Sequence, residues 1–425
     1  MIDIKVFREN PKLVKESNKK RGLETKDVDL VIKTDEEYRK LQTEVQQLKQ
    51  KRNSVTEDIA KLKKDGKSAA KQIKEMGKVS QEIKESDEKI NRLFEERENL
   101  RKKIPNILDS EVPQGKDDKD NKELRKWGTL PKFDFAPKGH ADLVEELGIA
   151  DIKRAAKVSG ARFYYLKNEL VLLNLALQKF ALDFLIKKGF EPVQTPYMLN
   201  RAALGGAVSL KDFEESIYKI DNDDLYLIGT SEHALAAMHQ DEVVDVRAPI
   251  KYAGISSCFR KEAGSHGKDT KGIFRVHTFE KIEQFSLCKP EDEKKVFDEF
   301  IHNQEEIFKL LKLPYHVIAL CSGDMGGSMA KTHDLEAWFP EQKNYRELGS
   351  TSTAKNYQSN KLNIKYINGN NEREHVYTLN GTAMSVQRTM CCILENYQQK
   401  DGSVKIPDVL VPYMDGIKEI KSVKK

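Results

Sequence analysis

Residues 256–285 read SSCFRKEAGSHGKDTKGIFRVHTFEKIEQF, and the rest of the chain is organised around them. A short apolar run ends at Phe259, with Arg260 and Glu262 directly after it. A loop holding Gly264, Gly267 and Gly272 follows, and alternation resumes through Ile273, Arg275, His277 and Phe279 toward Glu280 and Glu283. Two alternating runs around a Gly-rich, charged loop predict a β-hairpin. Side chains of equal parity share a strand face, so Phe279 and Glu283 line the face that Arg260 enters across the hairpin. A guanidinium that forks around a phosphate, beside a ring that stacks on a base, suits a nucleotide. The same residues also suit a surface hairpin with solvated charges. The glycines fit neither the GxxxxGK[ST] phosphate loop nor the dinucleotide fingerprint.

Working outward, the 425 residues suffice for two or three domains. A charged fraction of 33% against 38% hydrophobic points to a long solvated element beside an ordinary core, and the net charge of +5 allows a polyanionic partner without demanding one. Cys258, Cys288, Cys321, Cys391 and Cys392 are odd in number and lack CxxC spacing, which argues against a disulfide framework or a zinc cage. Buried thiols in a reducing compartment are the expectation. The N-terminus has no apolar secretory core and no run is long enough to span a membrane, so a cytoplasmic protein is expected.

Asn10-Pro11 reads as a helix start and Gly22 as its stop. Farther on, Tyr38, Leu41, Val45, Leu48, Val55, Ile59 and Leu62 repeat at coiled-coil spacing, with polar residues between them. Asp65-Gly66 breaks the run, and Ile73, Met76, Ile83, Ile90, Leu93, Leu100 and Ile104 form a second one that Pro105 ends. A short turn between two such helices makes them antiparallel neighbours over residues 36–104. Lysines 61, 63, 64, 67 and 71 crowd the tip, as solvated surface or as phosphate contacts. The expected division is a helical arm at 1–105, a charged, apolar-poor linker at 106–135 and a third domain at 136–425.

Within that third domain, residues 169–188 have helical spacing and lead into a strand ending at Pro196. Residues 226–232 form a short strand running into a helix that Thr230 or Ser231 caps. A strand over 330–339 precedes Glu347 and Ser350, hard oxygen donors suited to Mg²⁺ beside phosphates. A further strand turns at Gly381 into an apolar helix carrying Arg388, a cation that requires an anionic partner there.

The run FRKEAGSHGKDTKGIFRVHTFEKIEQF resembles motif 2 of class II aminoacyl-tRNA synthetases, in the version found in seryl-tRNA synthetases. The helix and strand ending at Pro196 resemble motif 1, AKTHDLEAWFP resembles the family's central strand, and LNGTAMSVQR resembles motif 3. The likeness runs from about residue 36 to 412. It implies an α+β fold: a class II antiparallel catalytic sheet flanked by helices, with an N-terminal antiparallel coiled-coil arm that grips tRNA(Ser). It further implies a cytoplasmic homodimer joined through motif 1. The implied activity is ATP-dependent activation of L-serine, then transfer to the 3′ end of tRNA(Ser), or tRNA(Sec) where present. That chemistry needs no general base, because the carboxylate nucleophile is already ionised; positioning and charge stabilisation suffice.

By resemblance, Arg260 bridges the serine carboxylate and α-phosphate, while Glu262 and Phe279 hold adenine near Val276. Arg388 binds the γ-phosphate, and Glu347 with Ser350 holds Mg²⁺. Lys261, Arg275, Leu348 and Gly349 complete the ATP set; Thr230, Ser231, Glu232, Glu283, Asn380 and Thr382 form the serine pocket with Arg260. Catalysis would rest on Arg260, Arg388 and Glu283, and the histidines at 233, 239, 266, 277 and 333 are structural or surface residues. Two stretches depart from the family pattern: Gly349-Ser350-Thr351-Ser352-Thr353 replaces Ser-Ser-Cys-Ser-Asn, and Asn360-Lys361 replaces an arginine pair. Two other readings compete. A carrier-protein aminoacylase would have no use for the arm, and an inactive scaffold would have no reason to keep Arg260, Glu283, Glu347 and Arg388 together.

Overall fold

A computed structural model describes residues 1–208, 216–262, 269 and 271–421. The chain divides into two compact units, Ile2–Ile104 and Pro105–Lys425 with Met1.

The first unit is helical. Asn10 Oδ1 accepts from the Leu13 amide to cap the helix Pro11–Lys20, and Gly22 ends it with φ near +73°. The helices Lys26–Lys64 and Ala70–Lys103 form the expected antiparallel pair, the first of them starting earlier than its apolar stripe. Val45, Val79 and Ile83 are buried in the seam, with Leu48 and Ile90 partly covered. Ile73 is 50% exposed and Val79 takes a seam place that the spacing had not assigned. Asp35 is buried and gathers three arginines, Arg8 at 2.7 Å, Arg97 at 2.8 Å and Arg39 at 3.0 Å. Those guanidiniums hold its carboxyl below the usual range against the opposing effect of burial.

The second unit is built on an eight-stranded sheet. In spatial order its strands are Lys122–Trp127, Tyr315–Ala319, Lys331–Phe339, Asn344–Lys355, Tyr377–Ser385, Thr278–Cys288, Ile250–Phe259 and Glu191–Gln194. Every pairing is antiparallel except the last, which is parallel. The expected hairpin is present, with Cys258 opposite Phe279 and Gly254 opposite Glu283.

Parity along Thr278–Cys288 assigns its two faces. Ile282 and Cys288 enter the larger core, made by Leu173, Phe180, Phe300, Phe308, Met390 and Ile393. Phe285 and Leu287 enter a second core with Leu235, Tyr252 and Val376. Gln284, on the first face, donates to Phe300 O at 3.0 Å and accepts from Asn303 at 2.8 Å, so its buried amide is paired.

Three local expectations are corrected. Residues 106–135 are not a bare linker: Lys122–Trp127 pairs with Tyr315–Ala319 at the sheet edge. Its six exposed residues give no apolar alternation, so the strand exists only through its partner. The alternation at 273–277 is not strand, which begins at Thr278; Ile273, Phe274 and Val276 are buried by packing instead. Gly381 is not a turn but lies inside Tyr377–Ser385, where a Cβ would stand 3.0 Å from Thr351 Oγ1 and 3.2 Å from Phe300. The loop glycines Gly264 and Gly267, with His266, lie outside the described residues, as does most of the basic tail after residue 421. The five cysteines are buried and free. Among the described residues, no helix is long and apolar enough to cross a membrane.

Candidate active site

The odd-numbered residues at the start of Thr278–Cys288 carry the site. Phe279, Lys281 and Glu283 follow one another along one face before Phe285 and Leu287 continue it into the second core. Arg260 stands just past the end of the neighbouring strand, its guanidinium 5.2 Å from the centre of the Phe279 ring. Its Nε donates to Gly229 O at 3.2 Å, which fixes the side chain. Glu262 follows at φ near +51°, a strained conformation for a residue with a Cβ.

A cleft opens here, with Arg260, Glu262, Phe279, Glu347, Ser350 and Arg388 among its walls. Arg275, Val276, Leu348, Gly349 and Thr382 also line it, so the expected ATP set converges there apart from Lys261, whose side chain is exposed. Two of the cleft's arginines meet carboxylates: Arg275 pairs with Glu262 at 2.9 Å and Arg388 with Glu347 at 3.1 Å. Arg388 also donates to Glu347 O at 3.0 Å and lies 5.1 Å from the Phe274 ring. The Arg388 guanidinium holds the Glu347 carboxyl below its ordinary range.

Deeper in the site, Glu283 is fully buried and receives three donors. Lys281 Nζ lies at 2.5 Å, Asn380 Nδ2 at 3.2 Å and Thr382 Oγ1 at 3.3 Å. Charge and hydrogen bonds together keep a carboxylate tolerable there. Glu232, also buried, accepts from Gln358 at 2.8 Å, and burial followed by repulsion from Glu283 raises its pKa to about 7. Thr230 caps the helix Ser231–Ala237 by accepting the Glu232 amide at 3.2 Å. Ser231 does not join the cleft; its hydroxyl faces Gly254 O at 3.5 Å.

Glu347 and Ser350 lie on Asn344–Lys355, opposite Glu336 and Asp334. Asp334 is buried with Oδ1 unpaired, and burial followed by repulsion from Glu347 pushes its carboxyl well above the ordinary range. The unpaired Asp334 oxygen beside Glu347 and Ser350 is a hard donor that fits a divalent cation taking most of its ligands from phosphate and water. The first departure includes Gly349 and Ser350, which line the cleft, while its remaining residues and the second departure bond elsewhere. Ser352 bonds Thr332 at 2.9 Å and Thr353 bonds Glu293 at 2.8 Å. Lys361 donates to Val208 O at 2.9 Å, and neither it nor Asn360 lines the cleft.

Comparison with known proteins agrees with the geometry. Residues 1–108 match the seryl-tRNA synthetase N-terminal domain, and residues 214–397 match the tRNA synthetase class II core domain (G, H, P, S and T). A serine–tRNA ligase of Nitrosopumilus maritimus is 45% identical over 99% of this chain and 100% of its own length. The chain belongs to the seryl-tRNA synthetase family. Its backbone matches the seryl-tRNA synthetase of Pyrococcus horikoshii, solved with ATP, at a TM-score of 0.96 and 44% identity, each chain fully covered. The cytoplasmic serine–tRNA ligase of Naegleria fowleri, solved with AMP, matches at 0.91 and 35% identity, over 100% of this chain and 99% of that one.

Sequence reasoning missed Phe274, Lys281, Ser385 and Gln387 in the cleft wall and Gln358 beside Glu232 in this seryl-tRNA synthetase site. Lys281 shares parity with Phe279 and Glu283, so strand alternation alone could have placed it on their face. Gln358 carries no such signal, because it reaches Glu232 from 126 residues away.

Proposed function

We propose that this chain activates L-serine with ATP to form seryl-adenylate and pyrophosphate, then esterifies the 3′ end of tRNA(Ser). The observation that carries this reading is the buried Glu283 with Lys281, Asn380 and Thr382 around it, at the floor of a cleft walled by Arg260 and Arg388. A small polar substrate suits that floor. A pocket that bonds a hydroxyl rejects alanine, since its own buried groups would be left unpaired.

In this reading Arg260 bridges the serine carboxylate and the α-phosphate and neutralises charge as the pentavalent phosphorus forms. Phe279 stacks on adenine, Glu262 makes polar contact with it, and Arg388 leaves Glu347 for the γ-phosphate. Bound Mg²⁺, held by Glu347 and Ser350, would supply charge neutralisation on the phosphates. Glu283 and Thr382 bond the serine hydroxyl, while Glu232 and Thr230 meet its amino group. No residue need remove a proton in the first step.

The helical unit Ile2–Ile104 is the tRNA-binding arm, its lysine-rich tip suited to a phosphate backbone. Residues 136–425 form the catalytic domain. A homodimer forms through the motif 1 helix Glu169–Lys187, on which Val171, Leu175 and Ile186 are exposed apolar residues. Free thiols suit the cytoplasm. The test is ATP–pyrophosphate exchange with each of the twenty amino acids, without tRNA. Exchange with serine alone is expected; exchange with another amino acid, or none, overturns the assignment.

A further inference from the structure

Arg260 has a second side. A second cavity lies there, lined by Val208, Ser216, Ile217, Gly229, Thr230 and His233 as well as Arg260. Among the described residues no carboxylate lines it; Arg260 is shared with the ATP-binding set, and Arg260 and Thr230 with the serine set.

His233 is the distinctive group. Its ring is 7% exposed, and its Nδ1 accepts the Gly229 amide at 3.3 Å. Burial, then Arg260 and Lys281, push its pKa down to about 3, so the ring is neutral. A neutral imidazole that accepts at Nδ1 carries its proton on Nε2. That N–H is a donor of fixed direction, and no hydrogen bond joins it to any described residue.

We propose that this cavity receives the terminal ribose of tRNA during acyl transfer, and that His233 Nε2–H donates to the ribose 2′-oxygen. The inference rests on the proposed function and deepens it. The two cavities share Arg260, so a ribose in the second one would meet the activated serine across that side chain. In the transfer step the 3′-oxygen bonds to the seryl carbonyl carbon as the carbon–oxygen bond to phosphate breaks. AMP leaves with that electron pair, and the hydroxyl proton passes to its phosphate oxygen. A donor on the attacking 3′-oxygen would withdraw electron density from it, whereas a donor on the adjacent 2′-oxygen orients the ribose without that cost.

The experiment uses the full chain, preformed seryl-adenylate and tRNA ending in adenosine or 2′-deoxyadenosine, with single-turnover transfer as the readout. His233→Asn keeps an acceptor near the Gly229 amide and loses the distal donor; His233→Gln keeps a distal donor. His233→Asn is expected to slow transfer by roughly 2- to 10-fold, the loss of one neutral hydrogen bond, and His233→Gln to restore most of it. The 2′-deoxy end slows the unmodified chain comparably and does not slow His233→Asn further, because both changes remove one interaction. Serine-dependent exchange persists in both variants. Unchanged transfer in His233→Asn, defects that multiply, or parallel collapse of exchange and transfer would each overturn the proposal. Absence of serine exchange in the unmodified chain would instead overturn the function on which it rests.

Discussion

The helical hairpin and the sheet floor handle charge in opposite ways. Along the hairpin a narrow seam of Val45, Val79 and Ile83 is buried while the charged residues face water, apart from the cluster around Asp35. On the floor, Lys281, Glu283 and Glu232 are all buried within one neighbourhood. A solvated charge needs no particular partner, so a rod can carry many of them and still fold from local periodicity. A buried charge is tolerable only with partners in place, so the floor depends on residues far apart in sequence. The hairpin should therefore tolerate surface change and lose binding gradually, while the floor should fail abruptly at single positions.

The largest expected effect is at the cleft. Arg260→Ala should lower serine-dependent exchange by about 10³-fold, as for removal of one preorganised charge partner, while leaving tRNA retention on a filter nearly unchanged. An effect under tenfold would mean that the cleft does not concentrate function as the comparison requires.

Next comes the buried carboxylate Glu232, raised to about 7 from 4.5. Between those values the unfolded chain has released the proton and the folded chain still holds it, so stability falls as pH rises. The expected loss is about 3 kcal/mol across that window. Glu232→Gln should flatten the slope, measured by chemical denaturation from pH 5 to pH 8. An unchanged slope would mean that Glu232 is not the group responsible.

Removing residues 36–104 should reduce tRNA charging by about 10²-fold through lost phosphate contacts, with exchange preserved. If charging survives intact, the arm is not the tRNA reader. Within the hairpin, Ile83→Ala should destabilise the helical pair by about 2 kcal/mol, read by helix melting, because its side chain is 4% exposed. Ile73→Ala should change stability by less than about 0.5 kcal/mol despite its place in the apolar stripe, because it is half exposed. Equal effects at the two positions would erase the distinction between seam and surface.

Much of the site was legible because strand alternation and motif order are local. Arg260, Phe279, Glu283, Glu347 and Arg388 were identified from their own segments, and the structure gathers them at one cleft and its floor. Ser231 and Lys261 lie outside the cleft wall, because adjacent residues on a strand end or helix start point in different directions. Ile73 was over-assigned for a related reason, since a heptad pattern says which face is apolar but not how much of it the partner helix covers near the tip.

By itself the sequence determined the antiparallel helical pair, the alternating central strands, and residue types whose chemistry suits a nucleotide and a small polar substrate. These follow from short-range periodicity and capping, which act over a few residues. Only the tertiary structure decided that Lys122–Trp127 becomes an edge strand, that Gly381 sits beneath Phe300, and that Gln358 satisfies Glu232. The physical reason is that each depends on a partner distant along the chain: a strand without apolar alternation, a missing Cβ and a buried amide have no local pattern to announce them.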